Sequence, residues 1–551
     1  MNVYNYLSYI RNNKKIYISI SYLVALGSVA GLLYSVVLKL VIDEVLLKNK
    51  YHMLGKLTII LILSFVITAL VNFSNGILAL ELAQSIAISI KTTVLNHLQR
   101  ISVNDFTKYD SGDLINRTLN DAENISNFLS SSIIGFFANL GNAIMYLVLM
   151  FYINKKLALI AIGMSIIQLI ISKKFSPKLK AINRNIKEKK SEELDLLAHV
   201  FKSNIFYKAY NKSSYNNSKY EKIILFIKSL SFKNFKIRFL YNTTISGASF
   251  VSSLLILGLG IYEIICGRMT VGTVFLIDSI AEMFVQSSNA IMNFNIELQN
   301  AYVSIERIDE IMEIEEENRA DISIENCLDF SIKTISFSNV SFRYLDKQIL
   351  SDMCLEFSIG KTYAIMGLSG IGKTTMAYLI LRFYNIQKGK ILVNKTDIKE
   401  IPLFELREKI AFVMQESVIL NGTIRENIML DTLCTYEDEK RFMEITKICH
   451  LDEFVDQMEE GYETIIGEKG RQLSEGQKQR LSIARGLMKK ADVYIFDEIT
   501  SHLDKQTGHS ILECIQKFLH DKIIIYISHD TGVKQFADNV VNLQEYIDDS
   551  M

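Results

Sequence analysis

The apolar residues of the chain are concentrated in its first half, where six long hydrophobic runs stand out from a mixed background. An α-helix needs about 20 apolar residues to cross a hydrocarbon core of roughly 30 Å, and each run approaches or exceeds that length. The runs cover residues 16–42, 56–80, 132–152, 155–173, 241–265 and 271–293. The pattern therefore predicts six membrane-spanning helices.

The connections between these runs alternate in length. Runs 1 and 2, 3 and 4, and 5 and 6 are joined by short segments, whereas about 50 and 70 residues separate the others. The long separators are charged but keep a helical period, so we expect them to continue the spanning helices into the cytoplasm and back. Arg11, Lys14 and Lys15 precede the first run, which favours a cytosolic N-terminus. A secretory signal peptide is the competing interpretation, but the run is long and no small-residue cleavage pattern follows it.

The second half of the chain has a different pattern. From about residue 330 onward no run is long enough to cross a membrane, and short apolar runs alternate with amphipathic helical segments. This alternation is typical of an α/β domain. The predicted division is a transmembrane domain over 1–300, a charged helical linker over 301–330 and an α/β domain over 331–551. The expected fold class is a multi-domain membrane protein.

Composition narrows the range of partners. The chain has 551 residues, of which 60 are basic and 60 are acidic, so its formal net charge is zero. No global field favours nucleic acid, and we expect no nucleic-acid partner. A hydrophobic fraction of 49% fits a protein whose first half lies in a lipid bilayer.

A phosphate-binding loop occupies residues 367–374, which read Gly-Leu-Ser-Gly-Ile-Gly-Lys-Thr and match G-x-x-x-x-G-K-[ST]. An apolar run, 362–366, precedes it as a strand would, and an apolar stretch with helical spacing follows it. Backbone N–H groups of such a loop surround phosphates, Lys373 would reach the terminal phosphates and Thr374 would hold magnesium. The predicted phosphate-binding residues are Gly367, Leu368, Ser369, Gly370, Ile371, Gly372, Lys373, Thr374 and Thr375.

An acidic pair follows a second apolar run, Val493 to Phe496. Asp497 ends this predicted strand and would be a ligand of the magnesium ion, a hard cation that prefers oxygen donors. Glu498, one residue further, would polarise the attacking water as general base. The pair lies about 120 residues after the phosphate loop. Together the two motifs predict binding and hydrolysis of ATP with Mg²⁺.

Leu473-Ser-Glu-Gly-Gln477 precedes a helical segment with apolar residues at 481, 483 and 484. This loop resembles the signature loop of ABC-type ATPases, and the C-terminal half resembles an ABC nucleotide-binding domain. Glu475 stands where a glycine is commonest, and we expect it to point away from the nucleotide. His502 stands where a small residue is usual.

The resemblance implies further roles for residues that matching motifs supply. Tyr344 would stack on adenine, and Gln415 would contact magnesium and the attacking water. His529 would contact the terminal phosphate, and Asp504 would belong to the loop after the acidic pair. Lys373, Gln415, Glu498 and His529 are the implied catalytic set. In this family the signature loop completes the ATP site of a second copy, which implies that Ser474, Gly476 and Gln477 act on the nucleotide of another chain.

Six spanning runs followed by one ABC domain resemble a type I ABC exporter half-transporter (the type IV fold) over essentially the full length. The resemblance implies ATP-driven export of a peptide, drug or lipid across the cytoplasmic membrane by alternating access. The working unit would be a homodimer or a pair with a related half-transporter. An ATP-gated or regulatory membrane protein without active transport is the alternative. A soluble ABC ATPase that acts on ribosomes or DNA would lack the spanning runs.

Polar residues recur at helical spacing in the sixth run, on one face of the predicted helix. They are Asp278, Glu282, Gln286, Asn289 and Asn293. Because polar groups are costly in lipid, the face should line a wet interior cavity. It is either a solvated wall without specificity or a path whose paired carboxylates favour cationic cargo. Lys39, Asp43 and Glu44 at the end of the first run are expected to mark the outer membrane interface.

Overall fold

The computed structural model describes residues 9–11, 13–317, 330–344, 347–368, 370–430, 435–467 and 470–546. The described chain forms two compact units. The first contains residues up to Asn96 together with Ser111–Glu313, and the second contains His97–Asp110 together with the chain from Ile314 onward. The predicted linker is helical up to Met312, and residues 318–329 lie outside the described chain. The domain limits at 300 and 330 stay a prediction.

The first unit is helical. The helix α1 (Lys14–Leu40) continues as a wider π-helical turn, Val41–Leu46, and a short turn, Tyr51–Met53, leads into α2 (Leu54–Leu98). The helix α3 (Val103–Phe106) is a short element of the second unit. The remaining helices are α4 (Ser111–Ile153, with π-helical turns at Arg117–Asp121 and Phe128–Ser132), α5 (Lys155–Lys202), α6 (Asn204–Ala209), α7 (Ser213–Ile265) and α8 (Val271–Met312).

Five of the six predicted runs lie in helices that are long and apolar enough to cross a membrane, judged by length and composition. These helices are α1, α2, α4, α5 and α7. The sixth run lies in α8, which does not reach the same hydropathy, so five of the six predicted spanning helices meet this criterion within the described chain. Asp278, Glu282 and Gln286 lower the hydropathy of α8. The helix nevertheless packs against α1, α4 and α7.

The start of α8 is held by a buried carboxylate at the end of α1. Asp43 accepts a hydrogen bond of 2.9 Å from the Gly272 amide and one of 2.6 Å from the Thr270 hydroxyl. A Cβ on Gly272 would lie 2.6 Å from the Lys39 carbonyl oxygen, so only glycine fits this approach. Asp43 therefore joins two helices that are more than 200 residues apart, a role that its predicted position at the membrane interface did not include.

An ionic cluster joins the start of α4 to the end of α8. Arg117 pairs with Asp113 and Glu310 at 2.7 Å each, and its side chain is nearly buried. Arg307 pairs with Asp113 at 2.5 Å and with Asp121 at 3.0 Å. Because Asp121 is buried, its partner is needed to compensate the lost hydration of the carboxylate. The cluster fixes the two helix segments that lie next to the predicted linker.

The second unit contains eleven strands within its described residues. They are β1 (Thr334–Tyr344), β2 (Lys347–Ser358), β3 (Thr362–Met366), β4 (Lys388–Val393), β5 (Thr396–Asp397), β6 (Ile410–Val413), β7 (Gly422–Thr423), β8 (Ile465–Ile466), β9 (Val493–Asp497), β10 (Ile523–Ile527) and β11 (Asn539–Asn542). The helices are α9 (Lys373–Ile380), α10 (Leu403–Glu408), α11 (Ile424–Met429), α12 (Tyr436–Ile448), α13 (Asp452–Val455), α14 (Glu475–Met488) and α15 (Lys505–Phe518). Short 3₁₀ turns lie at Ile398–Glu400, Gly461–Glu463, Thr531–Phe536 and Leu543–Tyr546.

A parallel five-stranded sheet with the order β11-β3-β10-β9-β6 forms the centre of this unit. Alternate residues of its strands point into two different cores, as a sheet covered on both faces requires. Val493 and Ile495 face the core shared with α9 and the antiparallel sheet β2-β1-β4-β5, whereas Tyr494 and Phe496 face the core shared with α11, α12 and α14. Since β3, β10 and β9 are adjacent and parallel, the loops after them meet at one edge. That edge carries the phosphate loop and the acidic pair.

Candidate nucleotide site

The phosphate loop connects β3 to α9, which begins at Lys373. Gly372 adopts a φ of 106°, and a Cβ there would lie 2.4 Å from Cγ2 of Ile349, so a side chain would be both strained and obstructed. The Lys373 ammonium is buried and donates to the carbonyl oxygens of Gly367 at 2.7 Å and Leu368 at 3.1 Å. The loop thus holds a cation beside the N-terminus of a helix, which is the arrangement that binds phosphate.

Thr374 and Asp497 are in direct contact below this loop. The Thr374 hydroxyl donates to Oδ2 of Asp497 at 2.6 Å. Asp497 is only 1% exposed, and burial raises the pKa of its carboxyl, while the Thr374 hydrogen bond opposes the rise. A buried carboxylate whose charge lacks hydration is stabilised by a bound cation. The oxygen atoms of Thr374 and Asp497 therefore fit a magnesium ion.

Glu498 lies at the end of β9 in an unusual backbone conformation. Its φ is 50°, in the left-handed region that residues other than glycine rarely adopt. The Glu498 amide donates to the Ile527 carbonyl at 2.8 Å, which ties this position to β10. Its carboxylate accepts from Nε2 of Gln415 at 2.9 Å and lies 3.0 Å from Nδ1 of His529. Three loops therefore converge on one carboxylate, and backbone strain of this kind is concentrated at functional sites.

These groups surround one cavity of about 970 Å³. Tyr344 lines it with half of its ring buried against Phe342 and Tyr384, at centroid distances of 4.8 and 5.1 Å. The predicted site residues that line the cavity are Tyr344, Gly367, Leu368, Gly370, Gly372, Lys373, Thr374, Thr375, Gln415, Glu498 and His529. Ile371 does not line it, Asp497 lies buried beneath it, and Ser369 lies outside the described residues.

The signature residues form a helix start elsewhere in the unit. Ser474 caps α14: its hydroxyl accepts from the Gln477 amide at 3.3 Å, and the Gln477 side chain accepts from the Ser474 amide at 2.9 Å. Glu475 pairs with Lys478 at 2.8 Å, and this contact lowers the pKa of the Glu475 carboxyl. Asp504 caps α15 through the Thr507 amide. None of Ser474, Gly476, Gln477 and Asp504 lines the cavity described above.

Gln479 is a site residue that the sequence did not single out. Its side chain is 3% exposed, and Nε2 donates to the Glu498 carbonyl at 2.9 Å, while Oε1 accepts from the His502 amide at 3.0 Å. It therefore joins α14 to the residue that carries the predicted base. The sequence signal that could have indicated Gln479 is a polar residue on the inner side of an amphipathic helix. Lys347 and Lys534 also line the nucleotide cavity, and no motif pointed to them.

The three residues of the predicted substrate path meet in the first unit. Asp278, Glu282 and Gln286 line a cavity of about 380 Å³ between α7 and α8, which we call the acidic cavity. Ser249, Ser252 and Ser253 of α7 add hydroxyl groups to its wall. The structure thus brings the two carboxylates together, while their role in transport stays a prediction.

Comparison with known proteins agrees with this architecture. Residues 18–288 match the family model of the ABC transporter transmembrane region, and residues 350–501 match the family model described as ABC transporter. The chain is 28% identical over 501 residues to an ATP-dependent lipid A-core flippase of Desulfotalea psychrophila, covering 91% of this chain and 87% of that protein. It is 28% identical over 528 residues to the lactococcin-G-processing and transport ATP-binding protein of Lactococcus lactis, covering 94% and 74% of the two chains.

A solved structure shares the fold. It is a bacterial Atm1-family ABC exporter with ATP bound, 20% identical in sequence, with a TM-score of 0.82 over 96% of this chain and 93% of that chain. The combination of a helical membrane region and a phosphate-loop ATPase in one polypeptide defines an ATP-hydrolysing integral membrane transporter. The chain belongs to the ABC exporters and is a half-transporter, with one membrane region and one nucleotide-binding domain.

Proposed function

We propose that the chain exports a hydrophobic or amphipathic molecule across the cytoplasmic membrane by alternating access, driven by ATP hydrolysis at a dimer interface. One observation carries the proposal: the Glu498 carboxylate is held between Gln415 and His529 at a cavity that Lys373 and Thr374 also line. This set supplies a base, a cation and a hydroxyl group, which hydrolysis of a terminal phosphate requires.

The residues around Glu498 account for its role as base. Each carboxylate oxygen already contacts one neighbour, Gln415 or His529, and each can accept a second hydrogen bond. Glu498 can therefore accept a hydrogen bond from a water molecule while its orientation stays fixed. Lys373 stabilises negative charge that develops on the terminal phosphate. A bound Mg²⁺ would neutralise further charge on the phosphates, held by Thr374, Asp497 and Gln415.

A second chain completes the proposed site. Ser474, Gly476 and Gln477 are ordered at the start of α14 but do not line the cavity of their own chain. We infer that they contact the nucleotide of a partner, which is a second copy or a related half-transporter. Two such chains related by a two-fold axis would form two equivalent ATP sites. Binding of ATP would favour the closed dimer and an outward-facing membrane region, and hydrolysis would reset it.

The N-terminus and the ATPase domain are proposed to face the cytosol. Arg11, Lys14 and Lys15 support this orientation because basic residues next to a first spanning helix favour the cytoplasmic side. Cargo is less constrained, since the relatives named above are described for different substrates, lipid A-core and lactococcin G. Peptide, drug and lipid therefore remain the candidate classes at this level.

Replacement of the proposed base tests the mechanism. The Glu498→Gln variant should bind ATP normally but release phosphate at least about 100-fold more slowly, because general base catalysis contributes about that much. Glu513→Gln on the exposed side of α15, where Glu513 pairs with Lys517 one turn away, is the matched control and should keep wild-type turnover. Full activity of the Glu498 variant would refute the assigned role.

Transport itself is tested in sealed proteoliposomes with outward-facing ATPase domains. Wild-type protein should accumulate a fluorescent lipophilic cation inside the vesicles above its external concentration when ATP is added, and the Glu498→Gln variant should not. An ATP-gated channel would let the cation equilibrate but never exceed the external concentration, which would favour the non-transporting alternative.

A further inference from the structure

A second membrane-region cavity differs in chemistry from the acidic one. It encloses about 480 Å³ among α1, α2, α4 and α8, within the size range of small-ligand sites. We call it the asparagine cavity, because four asparagines stand out in its polar lining, which consists of Ser28, Asn72, Asn75, Asn139, Asn142, Tyr146, Gln286 and Ser287. All of these residues lie in runs predicted to span the membrane, where lipid offers no hydrogen-bond partner.

The asparagines are arranged in two pairs on two helices. Asn72 and Asn75 are three residues apart on α2, and Asn139 and Asn142 have the same spacing on α4, so each pair shares a helix face. Oδ1 of Asn75 is buried and accepts no hydrogen bond from the described part of the chain. An unpaired buried amide oxygen is unfavourable unless something else donates to it. Nδ2 of Asn139 donates to the Gly135 carbonyl at 2.7 Å, so the cavity presents to an occupant chiefly the amides of Asn72, Asn75 and Asn142.

The lining chemistry selects among the candidate cargos. A primary amide offers both donors and an acceptor, which match the N–H and C=O groups of a peptide bond. Phosphate groups are instead recognised by arginine and lysine. No charged residue lines the asparagine cavity within the described chain, and the runs 132–152, 241–265 and 271–293 contain neither arginine nor lysine.

The acidic cavity favours a cargo that carries a positive charge. It adjoins the asparagine cavity through Gln286, which lines both, and it carries Asp278 and Glu282. Two carboxylates near one another attract a cation and repel an anionic headgroup. An occupant that extends from one cavity into the other would therefore present amide groups at one end and a positive charge at the other.

We propose that the asparagine cavity binds the backbone of a peptide cargo, with a basic side chain of that peptide in the acidic cavity. This inference rests on the proposed export function and names its substrate class. It excludes a phosphorylated lipid as the preferred cargo of this chain.

A tryptophan-labelled peptide provides a direct binding assay. The chain contains no tryptophan, so the indole of acetyl-Leu-Trp-Lys-amide is the only such fluorophore in the sample. The probe is titrated with full-length protein in phosphatidylcholine bicelles, which contain no other protein, and fluorescence anisotropy reports binding. A second probe replaces the N–H of the Leu–Trp bond by an ester oxygen, which removes one donor and changes neither charge nor size. The ester probe should bind at least about fivefold more weakly, the value of one lost hydrogen bond.

Variants locate the site. The double change Asn72→Leu with Asn142→Leu keeps the branching and number of side-chain heavy atoms and removes amides from both walls, so peptide affinity should fall by at least about tenfold. Asn242→Leu, on an exposed position of α7, is the matched control and should bind like wild type. Asp278→Asn with Glu282→Gln should weaken the lysine probe but not its norleucine analogue.

Four results would overturn the inference. The first three are equal binding of the amide and ester probes, unchanged affinity of the double asparagine variant, and displacement of the peptide by phosphatidic acid at equal concentration. The fourth is a double variant that dissociates into monomers, combined with a monomeric wild type that still binds peptide normally. That result would assign the asparagines to contact between copies and would overturn the inference.

The export proposal and the cavity assignment can be tested separately. If the peptide binds as described but ATP drives no accumulation in proteoliposomes, the cavity assignment holds and the export function is wrong. If ATP drives accumulation of a lipophilic cation but the peptide does not bind, the export function holds and the cavity assignment is wrong.

Discussion

Removal of the Gln479 side chain should reduce the rate of ATP hydrolysis without weakening ATP binding. The side chain makes hydrogen bonds of 2.9 Å to the Glu498 carbonyl and 3.0 Å to the His502 amide, and a longer one of 3.3 Å to the Ser501 hydroxyl. Gln479 does not line the nucleotide cavity. It therefore acts on catalysis through the position of Glu498 and is a positioning residue.

The magnitude follows from the groups that lose a partner. A buried polar group left unpaired costs roughly 1–3 kcal/mol, and a water-accessible one costs less. His502 is exposed and Glu498 is partly buried, so Gln479→Ala should destabilise the fold by about 1–2 kcal/mol. If the same free energy is lost from the contact that positions the Glu498 carboxylate, the activation free energy of hydrolysis rises by that amount. Each 1.36 kcal/mol changes a rate tenfold, so kcat should fall about tenfold.

The assay is steady-state phosphate release over a range of ATP concentrations, with thermal unfolding of the same samples. The expected result for Gln479→Ala is a lower kcat with an unchanged KM for ATP. Gln479→Glu keeps the acceptor for the His502 amide but places a buried carboxylate against the Glu498 carbonyl, so it should lose both turnover and thermal stability. Gln516→Ala is the matched control, because Gln516 also donates to a backbone carbonyl, that of Phe536, on α15 away from the cavity.

A kcat equal to wild type in the folded Gln479→Ala protein would refute the positioning role. An equal loss of kcat in Gln516→Ala would show that general destabilisation explains the effect. A rise in KM would show that Gln479 contributes to the nucleotide cavity itself.

Further predictions concern burial, pH and packing. Asp497→Asn should abolish ATPase activity but raise the thermal midpoint of the nucleotide-free protein, because burial raises the pKa of the Asp497 carboxyl and so disfavours its charge. The Thr435 hydroxyl and the Lys490 ammonium lower the pKa of Asp438, so its stabilising effect is present above about pH 4 and is lost as the pH falls. The difference in thermal midpoint between wild type and Asp438→Asn should therefore be measurable at pH 7 and shrink below about pH 4. Gly272→Ala should lower the thermal midpoint in detergent by an amount equivalent to about 1–3 kcal/mol, because its Cβ would approach the backbone of α1 at 2.6 Å.

Local sequence patterns predicted those parts of the site that lie on contiguous residues. The phosphate loop and the pair Asp497-Glu498 each follow an apolar strand, and both strands are present as β3 and β9. Tyr344, Gln415 and His529 have no local signal, since each is a common residue after a short apolar run. Only resemblance to a family indicated them, and the structure places all three at the same cavity.

Contacts between distant segments could not be predicted in this way. Gln479 reads as one polar position on an amphipathic helix, and its partners are fixed only when α14 packs beside β9. Asp43 reads as a charge at the end of a hydrophobic run, yet it caps a helix that begins at residue 271. In the sixth run, the polar face lowers the hydropathy of the helix because it lines a cavity. Hydropathy alone therefore underestimates the capacity of such a helix to span a membrane.

The order of the central strands has a consequence for how this protein can vary. The chain leaves the sheet after β6, forms α11 to α14, and returns in β9, which is the direct neighbour of β6. An excursion that leaves from the edge strand β6 and returns to its direct neighbour β9 can change in length without shifting the register of the other strands. Insertions and deletions among natural variants should therefore accumulate between residues 430 and 464, after Gln415 and before the signature loop, and chimaeras that exchange only this stretch should keep the catalytic edge intact.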